Sequence, residues 1–221
     1  MNLWGSKEIR SDRAIKKIMG FQDGRHNLRD AGRTLTPPTA AFRTTFPKSC
    51  ARMSRDLRQL YDRYGLRRPF NQSACPGITF NLGPVTVACE HFDFSNAASM
   101  PCAITALGRY DWRKDGYLII YDLKLIVSFP SGSTIILPSA SLRHGSLPIA
   151  DGETRTSVTQ YCAGRLLRHV EYGFETWEEM SRAERVAHVA GNDARLQAVM
   201  DSFSTFESLL DDPRTAFEAE V

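Results

Sequence analysis

Between residues 49 and 64 apolar side chains return every three or four positions. Met53, Leu57, Leu60 and Tyr64 fall on one face, with Arg52, Arg55, Arg58 and Arg63 distributed elsewhere around the turn. This spacing predicts an amphipathic helix from Ser49 to Tyr64, ended by Gly65. A shorter basic helix is expected from Asp12 to Met19, capped by Ser11, and the Gly-, Asn-, Thr- and Pro-rich stretch Gly20 to Pro38 reads as loop. After Pro69 the texture changes to short runs of β-branched and aromatic residues: Gly77–Asn81, Val85–Cys89, Ala103–Gly108, Tyr117–Tyr121, Lys124–Phe129, Ser133–Leu137 and Thr154–Tyr161. Turn residues separate them at Asn81-Leu-Gly-Pro84, Lys114-Asp-Gly116, Pro130-Ser-Gly132 and Asp151-Gly152. So many short strands in so little chain point to a sandwich or jelly roll rather than a βαβ sheet. From Thr176 the pattern is helical again, and Thr176 to Glu179 and Ser181 to Glu184 both fit a capping box.

Composition adds limits. Of 221 residues, 42 % are hydrophobic and 24 % charged, as in ordinary globular chains. The longest apolar runs, Tyr117 to Tyr121 and Thr134 to Leu137, are strand-length, so no membrane partner is expected. Lys7, Glu8 and Arg10 interrupt the start where a secretory signal would be apolar. Five cysteines (Cys50, Cys75, Cys89, Cys102, Cys162) with no CxxC pair argue for reduced thiols, as core filler, in an intracellular setting. The net charge of +3 is unevenly spread: +10 over residues 1–68, zero over 69–174 and −7 over 175–221. A basic arm on a neutral core suits a polyanion, although a solvated helical surface would look the same. The expected division is a basic helical extension at 1–68 that packs on the core and contacts a polyanion, a β core at 69–174 and an acidic helical extension at 175–221.

Three features of the β region carry chemistry. His91-Phe-Asp93 follows a strand, and residues two apart in extended chain project to the same side. His144 comes 51 residues past Asp93, in the turn expected after Ser133–Leu137, and Arg155 lies 11 further on, in the last strand. Two histidines and a carboxylate make the facial triad of non-haem Fe(II) oxygenases, with positions left open for co-substrate and O2. A neighbouring arginine supplies the fork that grips a dicarboxylate. A cupin-like metal site would share the triad, and each residue singly has a structural reading. His26, His169 and His188 lack partners at metal spacing; Ser139 and Ser141 lack a nucleophile elbow; no P-loop or dinucleotide glycine pattern is present.

The stretches Phe80-Asn-Leu-Gly-Pro84, His91-Phe-Asp93, Cys102-Ala-Ile-Thr-Ala-Leu-Gly108, Gly116-Tyr-Leu-Ile-Ile-Tyr-Asp-Leu-Lys124, Phe129-Pro-Ser-Gly-Ser-Thr134, Leu137-Pro-Ser-Ala140, Leu142-Arg-His144, Gly152-Glu-Thr-Arg155 and Thr159-Gln-Tyr161 resemble the fungal branch of the TET/JBP dioxygenases. The resemblance runs from about Pro69 to Phe174. It implies an α+β fold with a mainly β core, a double-stranded β-helix (jelly roll, cupin-like) flanked by helices. It also implies an Fe(II)- and 2-oxoglutarate-dependent dioxygenase using O2 to oxidise 5-methylcytosine in double-stranded DNA, as a monomer in the nucleus. N6-methyladenine or thymine as substrate, and a non-catalytic DNA-binding jelly roll, are the alternatives. His91, Asp93 and His144 fall on the family's iron ligands and Arg155 on the residue holding the far carboxylate of 2-oxoglutarate. Ser157 falls on a helper hydroxyl, and Asn81 on an asparagine for the C1 end of 2-oxoglutarate, or is simply a turn residue. Asn96 and Tyr161 resemble the asparagine that bonds a flipped methylcytosine and the aromatic on which it stacks, their plainer readings being a loop cap and a core tyrosine. The family's base-contacting histidine two residues after that tyrosine is Ala163 here, so part of cytosine reading must come from elsewhere. Arg52, Arg55, Arg58, Arg67 and Arg68, nearest in sequence to the core, are the expected phosphate clamp.

Overall fold

The computed structural model describes residues 39–66 and 73–214. The expected helix Asp12–Met19 and the clamp residues Arg67 and Arg68 lie outside the described residues. Helix α1 (Pro47–Tyr64) begins two residues earlier than its periodicity suggests, because Pro47 at the first helical position has its φ preset and no N–H to satisfy. It ends where expected: Gly65 adopts a left-handed φ of 58° and its N–H caps the carbonyl of Tyr61.

Seven strands follow: β1 (Gly77–Asn81), β2 (Cys102–Arg109), β3 (Leu118–Ile120), β4 (Leu125–Val127), β5 (Thr134–Leu137), β6 (His144–Ser146) and β7 (Thr154–Tyr161). They form two antiparallel sheets, in the orders β1-β7-β2-β5 and β4-β3-β6. The expected strand Val85–Cys89 is not regular: Val85 makes an isolated bridge to Arg155, and His91, two residues past its end, one to His144. Even so, His91 and His144 exchange both backbone hydrogen bonds at 3.0 Å, and the Ser146 N–H reaches the Ala88 carbonyl at 2.8 Å. The segment therefore passes from β7, where Val85 bridges Arg155 and the Thr86 N–H donates to the Arg155 carbonyl, to β6, along which residues 88–91 lie as an irregular extra strand of the smaller sheet. The chain crosses repeatedly between the two sheets, which is the wiring of a jelly roll. His144, expected in a turn, is instead the first residue of β6. Its pairing with His91 lies 53 residues away in sequence, a long-range contact that local patterning does not register.

Two cores divide the interior. Cys102, Ala106, Leu118, Ile120, Phe129 and Leu137 pack between the sheets. On the outer face of the larger sheet, Ala103 packs with Cys50, Met53, Leu57 and Leu60 of α1 and Leu167 of α2 (Gly164–Glu171). Alternation along β2 dictates this split, since Cys102 and Ala106 point one way and Ala103 the other. Burying Met53, Leu57 and Leu60 contributes roughly 1.5–3 kcal/mol each. Helices α3 (Arg182–Ala190) and α4 (Asn192–Met200) bury none of their residues. Both capping boxes form: Thr176 and Glu179 satisfy each other's backbone N–H groups, and Ser181 and Glu184 do the same at the start of α3. The Ser49 hydroxyl donates to the Ser202 carbonyl at 2.8 Å, and Lys48 pairs with Asp212 at 3.1 Å, tying the C-terminal segment to α1. No described helix is long and apolar enough to cross a membrane.

Two glycines are fixed by close approach. A Cβ on Gly145 would stand 2.9 Å from the Ala88 carbonyl, so glycine lets residues 88–91 lie against β6. Gly108 has φ +115°, and a Cβ there would meet the Thr154 carbonyl at 2.2 Å and the Arg155 Cα at 2.9 Å. Gly108→Ala is expected to cost about 3 kcal/mol or more, because the clash is with backbone that cannot rotate away. Thermal unfolding followed by circular dichroism should show a midpoint lowered by about 6–12 °C; an unchanged midpoint would contradict the close approach.

Candidate metal centre

The ladder registers show which side chains face the space between the sheets. His144 stands opposite Ile120, and Ile120 belongs to the core between the sheets, so the His144 side chain projects inward. On the larger sheet Gly108 opposes Arg155, and Ala106 and Asn81 both oppose Ser157. Ala106 lines the same interior, so Arg155, Ser157, Asn81 and, by strand alternation, Tyr161 face inward as well.

At one end of this interior His91, Asp93 and His144 converge, with one ligand atom from each lying within 4.8 Å of the others. His91 Nε2 is 3.7 Å from Asp93 Oδ1, and His144 Nε2 is 3.9 Å from Asp93 Oδ2. The rings lie 4.3 Å apart between centroids. Each Nδ1 faces a backbone carbonyl, Cys89 O at 2.7 Å for His91 and Leu142 O at 2.9 Å for His144. A carbonyl can only accept, so Nδ1 carries a proton in both rings and Nε2 is the atom of each ring that a metal would take. Burial pushes the His144 imidazole below its ordinary pKa, and His91 alongside adds to this, so the ring is neutral at pH 7. The three side chains are graded from 40 % exposed at His91 through 29 % at Asp93 to 4 % at His144, so the cluster opens to solvent on the His91 side.

Asp93 is held from behind. Its N–H donates to the Ser139 carbonyl at 2.9 Å, and the Asn96 amide donates to Asp93 Oδ2 at 3.2 Å and to Ser139 Oγ at 3.3 Å. Cys102 lies behind Ser139 and is held protonated, its thiol pushed up to about 12 chiefly by burial, so it does not compete as a thiolate ligand. Sequence reasoning did not find Ser139 as a support, and no local signal marked it.

Arg155 is the second feature. The residue is 3 % exposed, and its guanidinium lies 5.9 Å from the Tyr110 ring centroid and 5.8 Å from that of Phe129. Its nearest carbonyl is Leu147 O at 3.5 Å, its Nε is buried without a partner, and no described carboxylate pairs with it. The Tyr110 hydroxyl helps hold the charge and itself donates to the Phe129 carbonyl. Burial lowers the arginine's pKa, but guanidinium stays ionised at neutral pH. A buried cation without a counter-ion is costly, so the pocket is built to receive an anion. Tyr110 and Phe129, which line this pocket, were not singled out from sequence; Tyr110 sits two residues after Gly108, opposite Arg155, and strand parity could have found it.

The remaining candidates divide. The Asn81 amide donates to Ser157 Oγ at 2.9 Å, so the two stand together two residues along β7 from Arg155. Tyr161 is partly buried and packs on the core between the sheets. The α1 arginines are not brought to the metal cluster, because α1 covers the outer face of the larger sheet. Arg52 reaches Glu171 at 3.6 Å and Asp56 at 4.0 Å; Arg55 lies 3.6 Å from Asp56; Arg58 is exposed. His169 sits in α2 and stacks on Tyr64, and His188 sits in α3 against Tyr172, neither as a metal ligand. All five cysteines are free.

No protein-family model matches the chain, and no curated protein matches it. Among solved structures, the chain is similar to NgTET1 in complex with 5mC DNA, at 16 % identity and a TM-score of 0.39, over 51 % of this chain and 48 % of that one. It thus spans about half the length of that protein. It is also similar to the viral collagen prolyl hydroxylase of Paramecium bursaria Chlorella virus-1 in complex with 2OG, at 15 % identity and a TM-score of 0.29, over 48 % of this chain and 68 % of that one.

Proposed function

We propose that the chain is an Fe(II)- and 2-oxoglutarate-dependent dioxygenase that oxidises the methyl group of 5-methylcytosine in DNA. One observation carries the chemistry: a cluster of two imidazoles and a carboxylate shares an interior with a buried guanidinium that has no carboxylate partner among the described residues. A hydrolytic metal site has no use for that guanidinium, whereas a dicarboxylate co-substrate needs it. His91, Asp93 and His144 would hold the metal, through the two Nε2 atoms and the carboxylate. Arg155 would hold the far carboxylate of 2-oxoglutarate, with Ser157 and Asn81 on the same inner face. When bound, Fe(II) and O2 supply the oxidation: one oxygen atom leaves in succinate with release of CO2, and the other converts the methyl group to hydroxymethyl. Further turnovers would give formyl and carboxyl products.

The substrate assignment is supported by the resemblance to the TET/JBP dioxygenases between Pro69 and Phe174 and by the basic N-terminal segment. A base must leave the helix to reach an interior site. Tyr161 would give it a stacking face. The Asn96 amide hydrogens are used on Asp93 and Ser139, but its Oδ1 bonds no described residue. That oxygen can accept from the exocyclic amine of cytosine, or equally of adenine, which is why N6-methyladenine is the competing substrate. Of the α1 arginines, Arg55, Arg58 and Arg63 are exposed, as contact with phosphates requires.

The test is mass spectrometry of nucleosides from duplexes carrying 5-methylcytosine or N6-methyladenine, incubated with the full chain, Fe(II), 2-oxoglutarate and ascorbate. Hydroxymethylcytosine that disappears in a His91→Ala, Asp93→Ala double variant is the expected result. Loss of methyladenine alone would reassign the base. Turnover of neither, with 2-oxoglutarate still bound, would remove DNA as the substrate.

A further inference from the structure

The turn from Asp93 to Asn96 carries an aromatic side chain that the chemistry above does not use. Phe94 is 89 % exposed, directly after a candidate metal ligand. Exposed apolar side chains are common singly, as at Phe206 and Leu210, but this one directly follows Asp93 at the mouth of the metal cluster. This turn is pinned on all sides by backbone hydrogen bonds: Asn96 N–H to Asp93 O at 2.8 Å, Asp93 N–H to Ser139 O at 2.9 Å, Gly164 N–H to Ser95 O at 2.9 Å and Ala97 N–H to Cys162 O at 2.8 Å. Phe94 is thus presented on a fixed mount.

The same hydrogen bonds bring the start of α2 against the turn. Its exposed face carries Arg165 and Arg168, neither of which forms an ion pair with a described residue. Arg168 folds back over the first turn of the helix, where its guanidinium would lie 3.2 Å from a Cβ on Gly164. An exposed aromatic directly after Asp93 and two cations without an ion-pair partner among the described residues are therefore carried by the same turn and the helix start bonded to it. By contrast, Arg52 on α1 is already engaged with both Asp56 and Glu171.

We propose that Phe94, with Arg165 and Arg168, forms the contact through which this chain engages duplex DNA: Phe94 enters the base stack beside the extruded nucleotide, and the two arginines neutralise the flanking phosphates. The inference rests on the reading of the chain as a DNA-base dioxygenase. A flipped base leaves a gap in the stack, and an apolar wedge from a rigid element fills it at little entropic cost. Charge complementarity favours a phosphate backbone over a neutral or acidic protein surface.

The test uses the full chain and a duplex with 2-aminopurine next to the methylated cytosine. Phe94→Ala is expected to weaken duplex binding about tenfold, the scale of one lost stacking contact, and to lose the rise in 2-aminopurine fluorescence. Phe94→Trp should restore both, with quenching of the introduced indole. In an Arg165→Gln, Arg168→Gln variant the slope of log affinity against log salt should fall by about 1.8. The unfolding midpoint of Phe94→Ala should stay put, since so exposed a side chain packs on little. Binding and fluorescence unchanged in Phe94→Ala, while the unaltered chain oxidises DNA, would overturn the wedge alone. An unaltered chain that neither binds nor oxidises the duplex would overturn the dioxygenase assignment and the wedge with it.

Discussion

Replacing Asp93 with alanine is expected to abolish both tight iron binding and turnover. The carboxylate is the only anionic member of the cluster, and it faces both imidazoles, His91 Nε2 at 3.7 Å and His144 Nε2 at 3.9 Å. Without it, two neutral nitrogens remain to hold a divalent cation, which is too few for an open site at ordinary metal concentrations. Loss of a mere supporting residue commonly weakens a metal site about 10–100-fold; loss of this ligand should exceed that. Isothermal titration with Fe(II) under anaerobic conditions, or with Mn(II) as a redox-silent probe, reads the affinity directly. Asp93 is part-exposed and not in either core, so the fold should persist, and circular dichroism should be unchanged. Metal binding at full strength in Asp93→Ala would remove the triad as the metal centre.

Arg155→Met is expected to change stability and ligand binding in opposite directions. In the free chain the guanidinium is buried, has an unpartnered Nε and faces no described carboxylate. Methionine fills a similar space with no charge to desolvate, and the Tyr110 hydroxyl keeps its Phe129 carbonyl. Replacing an uncompensated buried charge by an apolar side chain should therefore stabilise the free protein, by about 1–4 kcal/mol if buried ion networks are a guide. Binding of 2-oxoglutarate should suffer by about 2–5 kcal/mol, the usual cost of truncating one partner of a buried charge pair, or roughly 30- to 5,000-fold in affinity. A higher unfolding midpoint together with lost 2-oxoglutarate binding would mark Arg155 as a ligand residue. A lower midpoint with intact binding would make it structural.

Much of this was legible in the chain itself because it is written in local periodicity. The stripe Met53, Leu57, Leu60 needed only a 3.6-residue repeat to announce α1, and Gly65 and Ser181 announced their caps by side-chain chemistry. Strands β2 and β7 carried enough β-branched and small residues to be placed within a residue or two. Residue type and order single out His91, Asp93, His144 and Arg155, and the fold brings the first three within 4.8 Å of one another. The Val85–Cys89 run forms no regular strand because it divides its backbone bonds between β7, at Val85 and Thr86, and the three-residue β6, at Ala88. His144, expected in a turn, pairs instead with His91 through a long-range contact.

Tertiary structure alone decided what each polar group is free to do. Sequence marked Arg52 and Asn96 by type, but their partners come from elsewhere in the fold: Glu171 on α2 occupies Arg52, and Asp93 with Ser139 occupies the Asn96 amide. The burial of Arg155 against Tyr110 and Phe129 likewise exists only once β7 pairs with β2 through Gly108. Spacing along the chain limits which side chains share a face of one element. Hydrogen bonds and ion pairs form between elements that loops of variable length bring together, so whether a charge is paired, and whether an aromatic such as Phe94 is left exposed, is settled only when the two sheets and their helices close on one another.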